Sequence, residues 1–369
     1  MSNVAVIGAG GFVGLSLIES LILEGRSDIR AVVRNYRNMA GLCRFGTDLD
    51  VRLADAENSA LLTEALAGVD TVVNLTTGPP SGIIQSTRSI YEACVSVGVR
   101  RFVHLSSAVI YGDVCVPVGD DDPPVARHWM PYARAKSMSE LWLRERLNND
   151  AIDIVVLRPG IVWGVRSPHT LQIAKALAGK TAYLVNDGKG IFNGIYITNL
   201  VRCIRTCCEY PQRVAGFYNV GDSELVTWFD FFDALGPPLG CDCSRLSRVR
   251  YDHFPWSSRA LVDGIQSLPL VNELYHQLKA HVPDSLKARI RNYLEGMYCY
   301  ERHATSYAVR VAVERELWHL QRVRYKLPIE KFQNTFQFIN PISFTEGIQR
   351  TIAWLTTLGF IYRSVSTTA

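Results

Sequence analysis

The chain has 369 residues, 48% of them hydrophobic and 20% charged. That balance excludes a disordered or fibrous chain, and the length can bury a full core in one large α/β domain with an appended lobe, or in two domains. The formal net charge of +4 is too small a surplus to imply a nucleic-acid partner.

Val4-Ala5-Val6-Ile7 is a short apolar run that ends at Gly8, as a buried parallel strand does. A helical stripe of Val13, Leu17 and Leu21 follows and stops near Gly25. Although residues 4–23 are largely apolar, they hold four glycines and Glu19, so they read as strand, turn and helix rather than a membrane span. Strands are expected at Ile29–Val33, Asp50–Leu53, Asp70–Leu75, Arg101–Leu105 and Ile154–Leu157. Helices are expected at Ser59–Leu66, at Ile83–Val97 with Gly98 as its C-cap, and at Tyr132–Leu147. Strands alternating with helices at this spacing predict an α/β fold, a doubly wound parallel sheet of Rossmann type with right-handed crossovers.

After Pro159 the rhythm changes. Thr170–Leu177 reads as a helix, Gly194–Ile197 as a strand returning to the sheet, Asn199–Cys208 as a helix and Phe217–Val220 as a strand. The stretch from about Ser258 to Lys326 leaves the α/β pattern and reads as a mainly helical insertion. Leu286, Ile290, Tyr293, Leu294 and Met297 share one helical face there, with Lys287, Arg289 and Arg291 on the other. Residues 271–331 hold eleven Lys/Arg against seven Asp/Glu, so this stretch carries a surplus as large as the whole chain's. The expected organisation is a dinucleotide-binding domain over 1–165, to which 190–220 return. A smaller C-terminal substrate lobe is formed by 166–189 and 221–369, including the insertion at 258–326.

The nine cysteines are odd in number and show no C-x-x-C pair, which reads as reduced thiols in a reducing, cytoplasmic compartment. Cys241 and Cys243 lack a second Cys/His pair at zinc spacing, so no metal is expected. Met1-Ser2-Asn3 has no basic region or small-residue cleavage site, so no signal peptide is expected.

Gly8-Ala9-Gly10-Gly11-Phe12-Val13-Gly14 lies between the first strand and the first helix. Glycines at 8, 11 and 14 permit a tight turn, close approach to a pyrophosphate, and close packing of helix on sheet. The helix N-terminus then offers free N–H groups to the phosphates. Gly8, Gly10, Gly11, Phe12, Val13 and Gly14 are therefore candidate cofactor contacts, with Leu75 and Pro159 at the ends of later strands. Where an NAD site places an acidic residue on the ribose, this chain has Arg34, with Arg37 close by. A guanidinium pairs with a 2′-phosphate, so NAD(P) is expected with NADP slightly favoured. Asp55, after the third strand, is a candidate partner for the adenine amino group.

Tyr132-Ala133-Arg134-Ala135-Lys136 opens a helix, and the i,i+4 spacing puts Tyr132 and Lys136 on one face. An ammonium beside a phenol favours phenolate and lowers its pKa toward the working range. Lys136 is also placed to hold ribose hydroxyls. Ser107 follows the fifth strand at the carboxyl edge of the sheet, where α/β ligands bind. Its hydroxyl is placed to bond the substrate oxygen on which Tyr132 acts. Tyr275-x-x-x-Lys279 matches the same spacing but lacks a preceding Ser-tipped strand, and reads as chance. His104, mid-strand, reads as a core residue. His169, after Pro168, could reach the cleft or simply stand in a loop.

The glycine motif, Ser106-Ser107-x-x-Ile110-Tyr111-Gly112, Tyr132-x-x-x-Lys136 and Arg158-Pro159-Gly160-Ile161-Val162-Trp163-Gly164 together resemble the extended short-chain dehydrogenase/reductase family, whose annotation group is the NAD-dependent epimerase/dehydratases. The resemblance covers roughly residues 3–235 and, weakly, 325–358, where Pro341–Leu355 is similar to the family's closing helix. It implies Ser107, Tyr132 and Lys136 as the catalytic set, a small-molecule substrate, and a homodimer formed through a helix pair. Gly188–Ile197 resembles the segment that crosses the family's substrate cleft, which makes Asn193 and Tyr196 candidate substrate contacts, with core packing equally open for Tyr196. Three departures stand out. Ile161 replaces an Asn of many sugar-nucleotide members, Ile83 replaces an Asn near the start of the helix after strand four, and the 258–326 insertion is outside the family pattern.

Two enzymatic readings follow. In the first, an NAD(P)-dependent oxidoreductase passes hydride between nicotinamide and a secondary alcohol or ketone. In the second, a nucleotide-sugar epimerase or dehydratase uses the same residues with no net redox change; Ile161 weighs against it. A non-catalytic dinucleotide-binding protein is a third reading, opposed by the intact Ser-Tyr-Lys set. The insertion is open to three roles beyond a structural excursion of the lobe: a membrane-surface helix, a lid, or a dimer contact.

Overall fold

The computed structural model describes residues 3–46, 49–112, 117–147, 152–250, 299–300 and 311–361. The second Tyr-x-x-x-Lys match and the basic helical face at 286–297 lie outside them.

Seven parallel strands form the central sheet: β1 (Val4–Ile7), β2 (Ile29–Val33), β3 (Asp50–Leu53), β4 (Thr71–Asn74), β5 (Arg101–Leu105), β6 (Asp153–Pro159), and the strand Gly216–Val220. They lie in the order β3-β2-β1-β4-β5-β6 and then Gly216–Val220, with Ile7 level with Val32 on one side and Asn74 on the other. The inner strands are continuous apolar runs because both faces are covered. On one face lie α1 (Phe12–Leu23) and the later helix Ile197–Glu209. On the other lie α2 (Ser59–Leu66), α3 (Pro80–Val97) and α4 (Pro131–Arg144). The strand order reverses between β1 and β4, and the glycine turn opens into that crevice.

One strand does not do what its apolar sequence suggests. After β6 the chain leaves the central sheet: Gly160 N still donates to Val220 O at 3.2 Å, but Ile161 N donates to Asn193 O at 2.8 Å. Ile161–Trp163 (β7) therefore pairs with Gly194–Tyr196 in a separate two-stranded ribbon, and 194–197 does not return to the main sheet. Gly160 makes the exchange possible, since a Cβ there would stand 2.1 Å from Asn193 O. The chain rejoins the sheet only at Gly216–Val220.

The second lobe starts with α5 (Pro168–Ala178), whose N-cap Ser167 accepts from Thr170 N at 3.3 Å. Pro168 occupies the first helical position, which suits its fixed φ, and His169 thus sits in a helical first turn rather than a loop. Strand β8 (Tyr183–Val185), the ribbon strand β9 (Gly194–Tyr196), α6 (Ile197–Glu209) and the sheet strand β10 (Gly216–Val220) follow. After them come α7 (Trp228–Leu235) and β11 (Ser247–Val249), which pairs with β8. Two residue pairs, β12 (Cys299–Tyr300) and β13 (Val311–Ala312), precede α8 (Arg315–Leu320), α9 (Glu330–Phe336) and α10 (Phe344–Thr357). An aromatic core of Trp163, Phe192, Tyr196, Trp228, Phe231 and Phe344 binds this lobe to the ribbon, with Phe192 stacked on Phe231 at 4.0 Å. Helix α10 falls where the closing helix is expected, and Gly347 admits the Trp163 ring at a distance a Cβ would not tolerate, 2.6 Å.

Candidate active site

The glycine turn is built from backbone packed on backbone. Gly8 has φ +84°, and a Cβ on it would lie 2.9 Å from Leu75 O, so the tail of β4 closes over the turn. A Cβ on Gly14 would lie 2.4 Å from Gly8 O, and one on Gly10 2.0 Å from Asn38 O. The loop after β2 thus folds directly onto the turn. It carries Arg34 and Arg37, both exposed. Gly11 is the N-cap of α1 and supplies no side-chain cap, so the first-turn N–H groups at Phe12, Val13 and Gly14 remain available to an anion. This cradle fits the pyrophosphate of a dinucleotide. Asp55 is exposed after β3, where its carboxylate accepts from Glu57 N at 3.1 Å.

Ser107 lies two residues beyond β5. Its extended backbone makes it the N-cap of a single 3₁₀ turn, Ala108–Tyr111, and its Oγ accepts from Val109 N at 3.3 Å. The turn is anchored from below. Tyr111 donates to Asn219 Oδ1 at 2.7 Å and accepts from Arg158 at 2.7 Å, and Arg158 forms a fully buried ion pair with Glu140 at 2.7 Å.

Tyr132, Lys136 and Glu140 follow one another along the inner face of α4. Lys136 is 1% exposed, and its Nζ donates to Leu105 O at 2.9 Å and to Thr76 O at 3.4 Å, bridging the tails of β5 and β4. Burial pushes its ammonium down to about 8, against the pull of Glu140. The expectation that Lys136 depresses the Tyr132 phenol is not met here. Burial, with a smaller contribution from the carboxylate of Glu316, raises that phenol to about 12. The ammonium is turned into strand-end carbonyls, and the charge that acts on the phenol belongs to α8.

That helix is held against the start of α4. Trp129, three residues before Tyr132, stacks on His319 at 5.0 Å, and the Arg315 guanidinium lies 4.2 Å over the same indole. Glu316 also interacts with His169 of α5, which lowers the Glu316 carboxyl against the rise caused by burial. Glu316 carries no motif and lies in the segment read from sequence as an insertion. Only its charge between Arg315 and Leu317 was visible.

Two candidate substrate contacts are placed otherwise. Asn193 donates from Nδ2 to Tyr325 O at 2.9 Å and accepts from Leu327 N at 2.7 Å, so both ends of its amide clamp the 325–327 segment. Tyr196 is 1% exposed and packs edge-on to Trp163 at 4.9 Å, so it belongs to the core. His104 is buried, with Nδ1 3.1 Å from the Asn74 amide, and burial keeps it neutral. Pro159 ends β6 beside Gly160, in the same sheet edge as Ser107.

A family model described as "NAD dependent epimerase/dehydratase family" matches residues 4–221. The chain belongs to this family. Among curated proteins, it is 24% identical over 268 residues to the 3beta-hydroxysteroid-dehydrogenase/decarboxylase isoform 1 of Arabidopsis thaliana, covering 64% of this chain and 61% of that one. It is 26% identical over 219 residues to the N-acetyl-alpha-D-glucosaminyl-diphospho-ditrans,octacis-undecaprenol 4-epimerase of Escherichia coli, covering 55% and 62%. The match thus spans about three fifths of these relatives' length. A solved UDP-glucuronic acid 4-epimerase of Bacillus cereus, in complex with UDP-glucuronic acid and NAD, superposes with a TM-score of 0.65 at 17% identity, covering 96% of this chain and 99% of that one. At that identity the likeness establishes the fold alone, the Rossmann-type α/β architecture.

Proposed function

We propose that the protein is a nicotinamide-dinucleotide-dependent oxidoreductase acting on a secondary alcohol or ketone. The observation that carries this reading is the placement of Tyr132 and Lys136 on one helix face at the carboxyl edge of the sheet, beside Ser107 and within one crevice with the open glycine turn. When bound, the nicotinamide supplies or accepts the hydride. In the reductive direction Tyr132 would donate its phenolic proton to the substrate oxygen, Ser107 would bond that oxygen, and Lys136 would hold the cofactor's ribose hydroxyls. Arg34, where NAD-type sites carry a carboxylate, supports NADP as the preferred form, and the NAD named with the solved relative supports a nicotinamide cofactor in general.

The second reading, an epimerase or dehydratase cycle on a nucleotide sugar with no net redox change, is favoured by the family description. It is opposed by Ile161, which offers no amide to a diphosphate. Net change of nicotinamide absorbance with a ketone or alcohol panel supports the first reading, and product without it the second. In either case Tyr132→Phe is expected to lower turnover by roughly a hundredfold or more while leaving dinucleotide binding intact; undiminished turnover overturns both.

The reading extends to a cytoplasmic homodimer. Helices α3 and α4 present Tyr91, Val95, Trp142 and Arg146 around a surface hollow of about 360 Å³, which supports a helix-pair contact.

A further inference from the structure

The tail of β4 touches both the glycine turn and Lys136. Leu75 N donates to Ile7 O at 2.9 Å, and Leu75 O and Thr76 N lie 2.9 and 3.2 Å from where a Cβ on Gly8 would stand. At the end of this tail, Thr76 O accepts from the Lys136 ammonium. With the Leu105 carbonyl, it takes up two of the three ammonium protons, which leaves one for a ribose hydroxyl. Asn74, the last residue of β4, sets the course of the tail. Its side chain is 1% exposed, and its Oδ1 accepts from Thr76 N at 3.0 Å and from Thr76 Oγ1 at 2.7 Å. A backbone N–H can only donate, so that end of the amide is the oxygen. The other end, Nδ2, therefore donates to His104 Nδ1 at 3.1 Å, and the neutral imidazole carries its proton on Nε2. That buried N–H meets no acceptor among the described residues. Two apolar side chains would fill the same space without such a cost, so packing alone does not account for the pair.

We propose that Asn74, oriented by His104, is a positioning residue of the dinucleotide site: by pinning Thr76 it fixes the Lys136 ammonium relative to the glycine turn. This rests on the reading above, in which the turn holds the pyrophosphate and Lys136 the nicotinamide ribose. The two grips then belong to one rigid segment of three residues, and a cofactor seated on the turn finds the ammonium already aimed. Neither Asn74 nor His104 needs to touch the cofactor. Without the Asn74 amide, Thr76 keeps no side-chain acceptor for its N–H and hydroxyl, and the ammonium retains only the Leu105 carbonyl as a directed partner. A pair that served the sheet alone would change the folded fraction and leave the contribution of Lys136 to binding untouched.

The test is a double-mutant cycle on the full chain, read as dissociation constants for NADP⁺ and NAD⁺ per folded molecule. Lys136→Met is expected to weaken binding roughly tenfold or more in the parent, the worth of a hydrogen bond from a charged group, and by about threefold or less in an Asn74→Leu chain. Thr76→Val removes only the 2.7 Å bond to Asn74 and is expected to shrink the Lys136→Met loss in part; it carries the same test if Asn74→Leu does not fold. Arg101→Met, which weakens the fold at the opposite end of the sheet, is expected to leave that loss at its parental size. The ¹⁵N shifts of His104 are expected to show the neutral ring protonated on Nε2. A Lys136→Met loss of equal size in the Asn74 and Thr76 backgrounds and the parent, or a ring protonated on Nδ1, overturns the inference while the dinucleotide reading stands. A parent chain that binds neither dinucleotide, or that Lys136→Met leaves unaffected, overturns that reading and this inference with it.

Discussion

The proposed role of Lys136 in the chemistry comes at a cost to the fold. Its ammonium is sealed among strand ends with two carbonyl acceptors and, among the described residues, no direct carboxylate, and burial holds it at about 8 against the usual 10.5. The unfolded chain therefore binds this proton more tightly than the folded one. Between about 8 and 10.5 the folded lysine is neutral while the unfolded one is charged, so this group makes stability rise with pH across that window and penalises the fold below it. Lys136→Met is expected to flatten that rise in denaturation midpoints measured from pH 7.5 to 10, to leave the neutral-pH midpoint equal or higher, and to weaken dinucleotide binding. A midpoint that drops at neutral pH would show that the ammonium supports the fold. Residues that combine such roles are where stability and activity trade against each other.

At the scale of elements, the glycine turn and its covering loop act as one unit. The 2.0 Å gap between a Cβ at Gly10 and Asn38 O leaves no room for a methyl without moving residues 34–39. Gly10→Ala is expected to destabilise the chain by about 1–3 kcal/mol through overpacking. Because the displaced loop carries Arg34 and Arg37, NADP⁺ affinity is expected to fall more than NAD⁺ affinity in calorimetric titrations. An equal loss for both would detach the loop from the recognition of the 2′-phosphate. Elements of this kind were readable from sequence because strand, glycine turn and helix are local and each leaves its own pattern: a continuous apolar run, a triplet, a stripe. The ribbon of β7 and β9 was not. Gly194-Ile195-Tyr196 is equally apolar whichever sheet it joins, and the partner is decided by the close approach at Gly160, thirty-odd residues upstream. The partners of Asn193 were hidden for the same reason, since nothing local announces that 325–327 will engage both ends of its amide. Ser107, Tyr132 and Lys136 were legible as residues, but the tuning of the phenol was not. Helical spacing placed the ammonium one turn away, whereas the charge acting on the phenol arrives from α8, almost two hundred residues later.

Across the whole molecule, two buried ion pairs lie at opposite ends of the sheet. At the carboxyl end, Arg158 pairs with Glu140 on the same helix face as the buried Lys136. At the amino end, Arg101 is fully buried against Asp153 at 2.6 Å and donates to the carbonyls of Cys207, Tyr210 and Gln212, tying β5 and β6 to the end of α6. Arg101→Met strands Asp153 in the interior and is expected to cost about 3–5 kcal/mol, read as a lower denaturant midpoint at unchanged slope. The folded fraction is expected to bind dinucleotide with parental affinity, because nothing at that end reaches the cleft. A loss of affinity beyond the unfolded fraction would show that the ends are coupled.

The path of the chain through Gly160 has a consequence for how such a protein diversifies. The polypeptide leaves the half built on the central sheet after Pro159, builds part of the other half, comes back to contribute α6 and β10, and departs again. No single crossover can therefore exchange one half for a relative's while keeping the other whole. A graft joined anywhere between residues 161 and 215 would take the edge strand β10 from the incoming chain while β1 to β6 stay with the receiving one. The two halves are therefore more readily altered by local replacement than by exchange.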